Sequence, residues 1–353
     1  MIREMIEKVV KREDLTEEEA IQVMQEIMED RATPAQIASF ITALRMKGET
    51  IEEITGFAKV MRQKATKIKI EKENIVVDID REDINIDYET IIDTCGTGGD
   101  GAKTFNVSTA TAFVVAGAGF LVAKHGNRSV SSECGSADVV KALGINIDIP
   151  VEKVKECIER IGIGFLYAPL YHPAMKYALG PRREIGIRTI FNILGPLTNP
   201  AGANVQVLGV YNPDLTERLA SVLRNLGTRS AMVIYGEGSI DEISIIGRTR
   251  ISHLKEGKIN TYYVQPEDFG LKRAILEDIR GGDALRNAQI ILDILNGKDK
   301  GPKREMVLLN AAACFIVADR TRDFKEGIEI AERTIDAKRA LKKLEDLIKF
   351  TNQ

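Results

Sequence analysis

This chain of 353 residues lacks several features that would mark a membrane, disulfide-bonded or nucleic-acid-binding protein. Its 49 basic and 52 acidic residues give a net charge of −3, without the basic excess that a general nucleic-acid binder needs to neutralise phosphates. The four cysteines lie far apart and form no CxxC pair, which argues against a zinc or disulfide framework. No apolar run approaches the roughly 20 residues of a membrane span, and the N-terminus is too charged for a signal peptide. We therefore expect a reduced, cytoplasmic protein without a membrane or nucleic-acid partner.

The first 65 residues have the pattern of a small helical domain. Three helix starts carry a capping box, in which a threonine (Thr16, Thr33 or Thr50) is followed three residues later by Glu or Gln. Apolar residues then recur at three- and four-residue spacing, which gives each helix one apolar face. The charged segment 66–90 is interpreted as a linker with a short strand or hairpin and no chemistry.

From residue 91 onward, apolar strand-like runs alternate with helical stretches. The clearest runs are Phe120–Ala123, Val205–Tyr211 and Ala231–Tyr235. This alternation favours an α/β domain with a mostly parallel sheet. A polar stretch with prolines at 170–195 interrupts the pattern, and we expect it to cross back to the helical domain and cover the cleft. The predicted domains are therefore a small helical one, residues 1–68 with about 170–195, and a large α/β one, residues 69–169 and 196–353.

A loop with four glycines at 96–101 is the strongest candidate for a binding site. Its GxGxxG spacing matches the dinucleotide fingerprint, but that signal is weak alone. The fingerprint needs an acidic residue at the end of the next strand, where this chain has Lys124, and Asp100 inside the loop would face a diphosphate unfavourably. The P-loop spacing also fails, because Ala102 stands before the lysine. A dinucleotide site is therefore disfavoured, while a purely structural tight turn stays open.

Phosphate binding explains the loop better than a turn does. Glycines let backbone N–H groups approach an anion, and Ser108 and Thr109 add hydroxyls at a helix start, where the dipole favours negative charge. An acid among phosphate ligands makes sense where a divalent metal or a ribose hydroxyl is also bound. Asp241 and Glu242 form a second acidic pair, and magnesium prefers a few oxygen ligands plus substrate phosphates. A solvated surface pair is the alternative for these two acids.

Several motifs, in this order, make the chain resemble a known family: DTCGTGGD (93–100), FNVST (105–109), KHGNRS (124–129), GSAD (135–138), HPAM (172–175), GIRTIF (186–191), LGPLTNPA (194–201) and DEIS (241–244). Together they cover nearly the whole chain and closely resemble the anthranilate phosphoribosyltransferase family of tryptophan biosynthesis. The resemblance implies a nucleoside phosphorylase-like α/β fold with the active site between two domains. It also implies a homodimer formed through the helical domain.

The implied reaction transfers the 5-phosphoribosyl group from phosphoribosyl pyrophosphate to the amino group of anthranilate and releases pyrophosphate, with Mg²⁺, two ions per subunit. No acid–base residue is expected, because a neutral aromatic amine is already nucleophilic. Lys124, His125 and the metal would stabilise the transition state, and positioning would dominate catalysis.

The resemblance also implies ligands, residue by residue. Phosphoribosyl pyrophosphate would contact Gly96, Thr97, Gly98, Gly99, Asp100, Thr104, Asn106, Val107, Ser108, Thr109, Lys124, Asn127, Arg128, Ser129, Ser132 and Ser136. Anthranilate would contact Gly96, His125, Asn127, His172, Arg182 and Gly195, with Arg182 taking its carboxylate. Ser108, Asp241 and Glu242 would hold magnesium. Glu133 and Pro181 depart from the family's usual residues at those positions.

Two other functions stay open. One is a pyrimidine nucleoside phosphorylase on the same fold, although nucleosides carry no carboxylate for Arg182. The other is a non-enzymatic relative that binds nucleic acid through a basic groove, against which the acidic charge balance counts.

Overall fold

The computed structural model describes residues 1–71, 73, 75, 89–98, 101–128 and 134–353. Its strands are β1 (Ile91–Gly96), β2 (Leu121–Gly126), β3 (Ile163–Tyr167), β4 (Val205–Gly209), β5 (Ser230–Gly236), β6 (Thr249–Lys255) and β7 (Lys258–Val264). Its helices are α1 (Ile2–Val10), α2 (Glu17–Met28), α3 (Pro34–Lys47), α4 (Ile51–Lys64), α5 (Val107–Gly117), α6 (Ser136–Ala142), α7 (Val151–Ile161), α8 (Ala168–Tyr171), α9 (Lys176–Ile185), α10 (Phe191–Leu194), α11 (Leu215–Asn225), α12 (Leu276–Ile279), α13 (Ala284–Leu295), α14 (Pro302–Val317), α15 (Phe324–Asp336) and α16 (Arg339–Thr351).

Helices α2, α3 and α4 begin where the capping boxes predict. Thr16, Thr33 and Thr50 each accept a hydrogen bond from the backbone N–H three residues on, and the Glu or Gln there accepts one from the threonine N–H. Helix α3 ends at Gly48, whose φ of 91° suits glycine. The helical N-terminal region is therefore confirmed, with α1 added before the three predicted helices.

Glu53 does more than complete its capping box. Its Oε1 accepts a hydrogen bond of 2.9 Å from the Leu15 N–H, and its Oε2 lies 3.0 Å from the Lys47 ammonium. Both charged side chains are buried, a situation that is stable only when each charge is paired and hydrogen-bonded. This network joins the segment before α2 to the end of α3 and the start of α4.

The described strands form one sheet in the order β3-β2-β1-β4-β5-β6-β7. Strands β1 to β5 pair in parallel, and β6 and β7 add an antiparallel edge. The mostly parallel sheet is confirmed, although the sequence analysis missed β3 and the β6–β7 hairpin. The chain proceeds from β1 toward β3 on one side and from β4 toward β7 on the other. The strand order thus reverses between β1 and β4, and ligands of open α/β sheets bind at the carboxyl ends of strands at such a point.

The two faces of the sheet are covered by different helices. Helix α5 is buried almost all round and packs against α14 and α16 in one apolar core. Helix α11 covers the other face, where it packs with the N-terminal helices in a second apolar core. Arg62 of α4 connects the N-terminal helices to the rest of this core, because its guanidinium donates to the carbonyls of Leu197, at 2.7 Å, and Leu226, directly after α11, at 3.1 Å.

Part of the polar stretch at 170–195 packs against the N-terminal helices. Helix α9 packs against α3 and α2, and the Thr66 N–H donates to the Tyr171 carbonyl at 2.9 Å. The strand or hairpin expected within 66–90 falls mainly outside the described residues. None of the described helices has the length and apolar character of a membrane span.

Candidate active site

A cavity of about 640 Å³ opens at the carboxyl ends of β1 and β2, beside the reversal in strand order. Described residues of the glycine loop (96–101) and of the KHGNRS motif (124–129) line it, so the structure brings together most of the predicted site. The predicted residues that line it are Gly96, Thr97, Gly98, Thr104, Asn106, Val107, Ser108, Lys124, His125, Asn127, Arg128, Ser136, Gly195, Asp241 and Glu242. Gly99, Asp100, Ser129 and Ser132, together with the departing Glu133, lie outside the described residues.

Asp241 lies directly against the glycine loop. Its Oδ2 accepts a hydrogen bond of 3.2 Å from the Gly98 N–H. Two glycines that end strands make room for it. A β-carbon on Gly96 would lie 2.3 Å from Asp241 Oδ2, and one on Gly209 would lie 1.5 Å from the Asp241 carbonyl oxygen. No side chain fits at either position without moving Asp241.

Glu242 meets the start of α5. Its Oε1 accepts a hydrogen bond of 3.2 Å from the Ser108 N–H, where the helix dipole favours negative charge. The buried amide of Asn310 holds the backbone of the next residue, Ile243. The Ile243 N–H donates to the amide oxygen at 2.9 Å, and the amide nitrogen donates to the Ile243 carbonyl at 3.1 Å. The acidic pair therefore belongs to an ordered, anchored segment and is not a solvated surface pair.

The donor set around this pair fits magnesium. Ser108, Asp241 and Glu242 offer only oxygen ligands, and magnesium prefers one or two carboxylates plus substrate phosphates. Within the described ranges, no group of three or more His, Cys, Asp or Glu side chains could hold a metal alone. An ion here would therefore take its remaining ligands from a phosphorylated substrate and water.

Lys124 brings a buried cation to the cavity. Its side chain is 3% exposed, and its ammonium donates to the Thr94 carbonyl at 2.7 Å and the Ser108 hydroxyl at 3.2 Å. Asp93 lies fully buried nearby. Burial raises the pKa of Asp93 to about 6, although the charge of Lys124 and a hydrogen bond from Asn199 act in the opposite direction.

Asp93 also fixes the neighbouring backbone. Its Oδ1 accepts from the His125 N–H at 3.2 Å, and its Oδ2 accepts from the Asn199 amide at 2.8 Å. The same amide donates to the Ala123 carbonyl at 2.8 Å. Asp93 and Asn199 thus hold the strand end that carries Lys124 and His125. Asp93 and Asn199 both stand in motifs quoted from the sequence, but nothing in those motifs indicated that the two side chains are buried and position the strand end.

The two predicted histidines form a neutral pair. The ring centroids of His125 and His172 are 5.2 Å apart. Burial lowers the pKa of His125 to about 3 and that of His172 to about 4, with the neighbouring His172 adding to the effect on His125. Each Nε2 is buried and finds no hydrogen-bond partner among the described residues. His125 therefore faces the cavity as a neutral imidazole, with His172 behind it.

Three predicted contact residues do not line the cavity. His172 is shielded by His125. The Thr109 hydroxyl is buried in the first turn of α5, whereas its neighbour Ser108 lines the cavity. Arg182 lies on α9 with its guanidinium carbon 5.1 Å from the centre of the Phe191 ring. Phe191 itself lines the cavity, so Arg182 stands one side chain behind the wall.

Several lining residues were not among the predicted contacts, although Gly101 belongs to the predicted glycine loop. They are Cys95, Gly101, Ala102, Lys103, Phe105, Gly126, Cys134, Gly135, Ala168, Phe191, Asn192, Pro196, Arg280, Gly281, Gly282 and Asn287. The wall at 280–287 comes from a part of the chain in which the sequence analysis named no site residue. The Gly281-Gly282 pair could have indicated a close approach there, since a β-carbon on Gly281 would lie 2.8 Å from the Phe105 Cα.

The chain matches two family models. Residues 3–65 match the helical bundle domain of the glycosyl transferase family, and residues 88–341 match the α/β domain of that family. The chain is also 58% identical to the anthranilate phosphoribosyltransferase of Geotalea uraniireducens, across the full length of both chains. This chain belongs to the anthranilate phosphoribosyltransferase family.

Solved anthranilate phosphoribosyltransferases have the same fold. The Thermus thermophilus enzyme is 39% identical, with a TM-score of 0.88 over 99% of each chain. The Saccharomyces cerevisiae enzyme, solved in complex with phosphoribosyl pyrophosphate and magnesium, is 28% identical, with a TM-score of 0.86 over 99% of this chain and 98% of that one. The resemblance found in the sequence motifs is thus confirmed.

Proposed function

We propose that the cavity binds phosphoribosyl pyrophosphate on its glycine-loop side and anthranilate on its His125 side. The reaction is that of the family. The chain transfers the 5-phosphoribosyl group to the amino group of anthranilate, giving N-(5-phosphoribosyl)anthranilate and pyrophosphate, in tryptophan biosynthesis. The observation that carries this proposal is the acidic pair Asp241-Glu242 held against the backbone N–H groups of Gly98 and Ser108.

Two carboxylates beside the N–H groups of a phosphate loop make chemical sense when a cation joins them to the phosphate. We propose magnesium, held by Ser108, Asp241 and Glu242, with two ions per subunit. The magnesium in the yeast relative supports this choice. The chemistry that magnesium supplies when bound is neutralisation of negative charge on the pyrophosphate. Calorimetric titration with magnesium, in the presence of the donor, would count the ions.

The donor side stabilises the leaving group. Breaking the C1–O bond puts negative charge on pyrophosphate and positive charge on the ribose. Lys124 supplies a buried cation, and the N-terminus of α5 supplies N–H groups and a favourable dipole, all fixed before the reaction. Among the described residues, the proposed donor contacts are Gly96, Thr97, Gly98, Thr104, Asn106, Val107, Ser108, Lys124, Asn127, Arg128 and Ser136. Four further predicted contacts lie outside the described residues: Gly99, Asp100, Ser129 and Ser132.

The acceptor side orients a neutral amine. His125, Asn127, Gly96 and Gly195 face the space next to the ribose, and a neutral His125 can hydrogen-bond the amine without taking its proton. Arg182 is the proposed partner of the carboxylate, because a guanidinium pairs with it in two-pronged geometry. Since Arg182 lies behind Phe191, its side chain must move along that ring to reach the acceptor.

The test follows anthranilate fluorescence, which should fall when phosphoribosyl pyrophosphate and magnesium are both present. Omitting either one is the control and should leave the signal constant. Constant fluorescence at every magnesium concentration would contradict the proposal. Phosphorolysis of thymidine or uridine in its place would favour a nucleoside phosphorylase. Salt-sensitive DNA binding without turnover would favour a non-enzymatic relative.

The domain division remains a proposal too, with residues 1–68 and about 170–195 on the acceptor side. A homodimer formed through the helical domain and a cytoplasmic location also remain proposals. Packing of α9 against α3 and α2 supports the proposed domain division. Light scattering after size exclusion would test the dimer, and a monomer at micromolar concentration would contradict it.

A further inference from the structure

Asn287 is a buried amide beside a proposed donor contact, with no predicted role of its own. It lies in the first turn of α13 and is 2% exposed. Its Nδ2 donates to Oδ1 of Asn106 at 2.9 Å, across 181 positions of sequence. Asn106 precedes α5 and lines the cavity, yet its side chain makes no capping hydrogen bond to the helix.

The orientation of the Asn287 amide is decided by the backbone. Its Oδ1 accepts from the Gly282 N–H at 2.8 Å, and its Nδ2 donates to the Gly282 carbonyl at 3.1 Å. A backbone N–H can only donate and a carbonyl can only accept, so a flipped Asn287 amide would lose both bonds. The amide nitrogen of Asn287 therefore faces Asn106, and Asn106 must accept this hydrogen bond with its side-chain oxygen.

The turn that holds Asn287 is fastened to the loop before α5. The Gly281 N–H donates to the Lys103 carbonyl at 3.0 Å. A β-carbon on Gly281 would lie 2.7 Å from Oδ1 of Asn287 and 2.8 Å from the Phe105 Cα, so the two segments touch through bare backbone. This contact keeps Asn287 at a fixed distance from Asn106.

We infer that Asn287 is a positioning residue for the phosphoribosyl donor and acts through Asn106. With its oxygen engaged by Asn287, Asn106 turns its NH₂ group away from α13. Among the described residues, that group donates to the Cys134 carbonyl at a long 3.5 Å, which leaves it able to donate to a substrate oxygen. Phosphate and ribose oxygens accept such a bond, whereas the Asn106 oxygen would repel a phosphate. This inference rests on the proposed function, in which the donor lies against Asn106.

The decisive variant is Asn287→Asp, which replaces the donor facing Asn106 by an acceptor of the same shape. Asn106 should then turn its amide over and present oxygen to the phosphate. We expect the KM for phosphoribosyl pyrophosphate to rise about tenfold, as for a lost hydrogen bond to a charged group. The KM for anthranilate should stay within about twofold. Asn287→Ser, which removes the amide without adding a charge, should act in the same direction if the Asp variant folds poorly.

Asn296→Asp is the matched control, because Asn296 caps the other end of α13 and, among the described residues, donates only to carbonyls of its own helix. It should leave both KM values unchanged. A merely structural role for Asn287 would lower the melting temperature and affect both substrates alike. That outcome, or an unchanged donor KM in both Asn287 variants, would overturn the inference.

An Asn106→Ala background separates this inference from the function on which it rests. If Asn287 acts through Asn106, then Asn287→Asp should change the donor KM little in that background. A full tenfold effect there would contradict the positioning role. An unchanged donor KM in Asn106→Ala alone would instead contradict the proposed donor site.

Discussion

Gly96 and Asp241 share one corner of the cavity, where a β-carbon on Gly96 would lie 2.3 Å from the Asp241 carboxylate oxygen. Gly96→Ala should therefore push the carboxylate off the Gly98 N–H and away from the proposed metal position. We expect kcat/KM at limiting magnesium to fall by roughly tenfold or more, partly recovered at high magnesium. Activity as a function of magnesium concentration measures this. Gly180→Ala, on an exposed helical site with nothing within 4 Å, is the control. An unchanged magnesium dependence would contradict the prediction.

Lys124 should be the most sensitive single side chain for the chemical step. Lys124→Met removes a fixed cation from the leaving-group side, and we expect kcat to fall about 100-fold or more. It also removes the charge that offsets the burial of Asp93, so the free energy of unfolding should drop by roughly 1–3 kcal/mol.

The double variant Asp93→Asn/Lys124→Met distinguishes these two effects. A neutral amide at position 93 no longer needs a cation, so the double variant should regain stability in urea unfolding without regaining activity. Recovery of both together would contradict a direct role of Lys124 in the reaction.

The sequence predicted features whose cause is local. A threonine followed three residues later by Glu or Gln begins a helix through contacts within one turn, and Thr16, Thr33 and Thr50 do so. The strand beginning at Val205 follows from a local apolar run in the same way. The glycine loop at the end of β1 was predicted to bind phosphate from its own residues, and the family motifs then added individual contacts at the end of β2.

Contacts between distant parts of the chain gave no such signal. Asn199 bonds Asp93 across 106 positions, and Asn287 bonds Asn106 across 181. Nothing in the spacing of either pair tells that a buried amide will meet its partner. Arg182 was assigned to the acceptor from its motif, but only the packing of α9 puts Phe191 between that guanidinium and the cavity.

His125 and His172 should make the protein sensitive to acid. Their folded pKa values, about 3 and about 4, lie below the ordinary value of 6.5. Their stabilisation is therefore complete above pH 6.5 and is lost as the pH falls through 6.5 toward 4 and 3, because the unfolded chain takes up protons first. His172→Phe keeps a ring without the titration, so its free energy of unfolding should decline less steeply between pH 6.5 and 4. Parallel curves for the two proteins in urea unfolding would contradict this.

Asp93 should act with the opposite sign. Its folded pKa, about 6, lies above the ordinary 3.8, so its contribution is complete below pH 3.8 and is lost as the pH rises through 6. Asp93→Asn should remove that loss. Relative to the wild type, the variant should gain stability as the pH rises from 4 to 7. A difference that stays constant over this range would show that Asp93 is ionised even at the acid end.

Arg182 should control acceptor binding, although it stands behind Phe191. Arg182→Ala should raise the KM for anthranilate by about tenfold or more and leave the donor KM nearly unchanged, because only the acceptor carries a carboxylate for it. Arg182→Lys should not restore the acceptor KM, since an ammonium cannot form the two-pronged pair. Phe191→Leu separates direct contact from support of the wall. If Arg182 moves past the ring to meet the carboxylate, Phe191→Leu should have a smaller effect than Arg182→Ala. If instead it only holds Phe191 in place, the two variants should weaken acceptor binding equally, and the proposed carboxylate contact would be wrong.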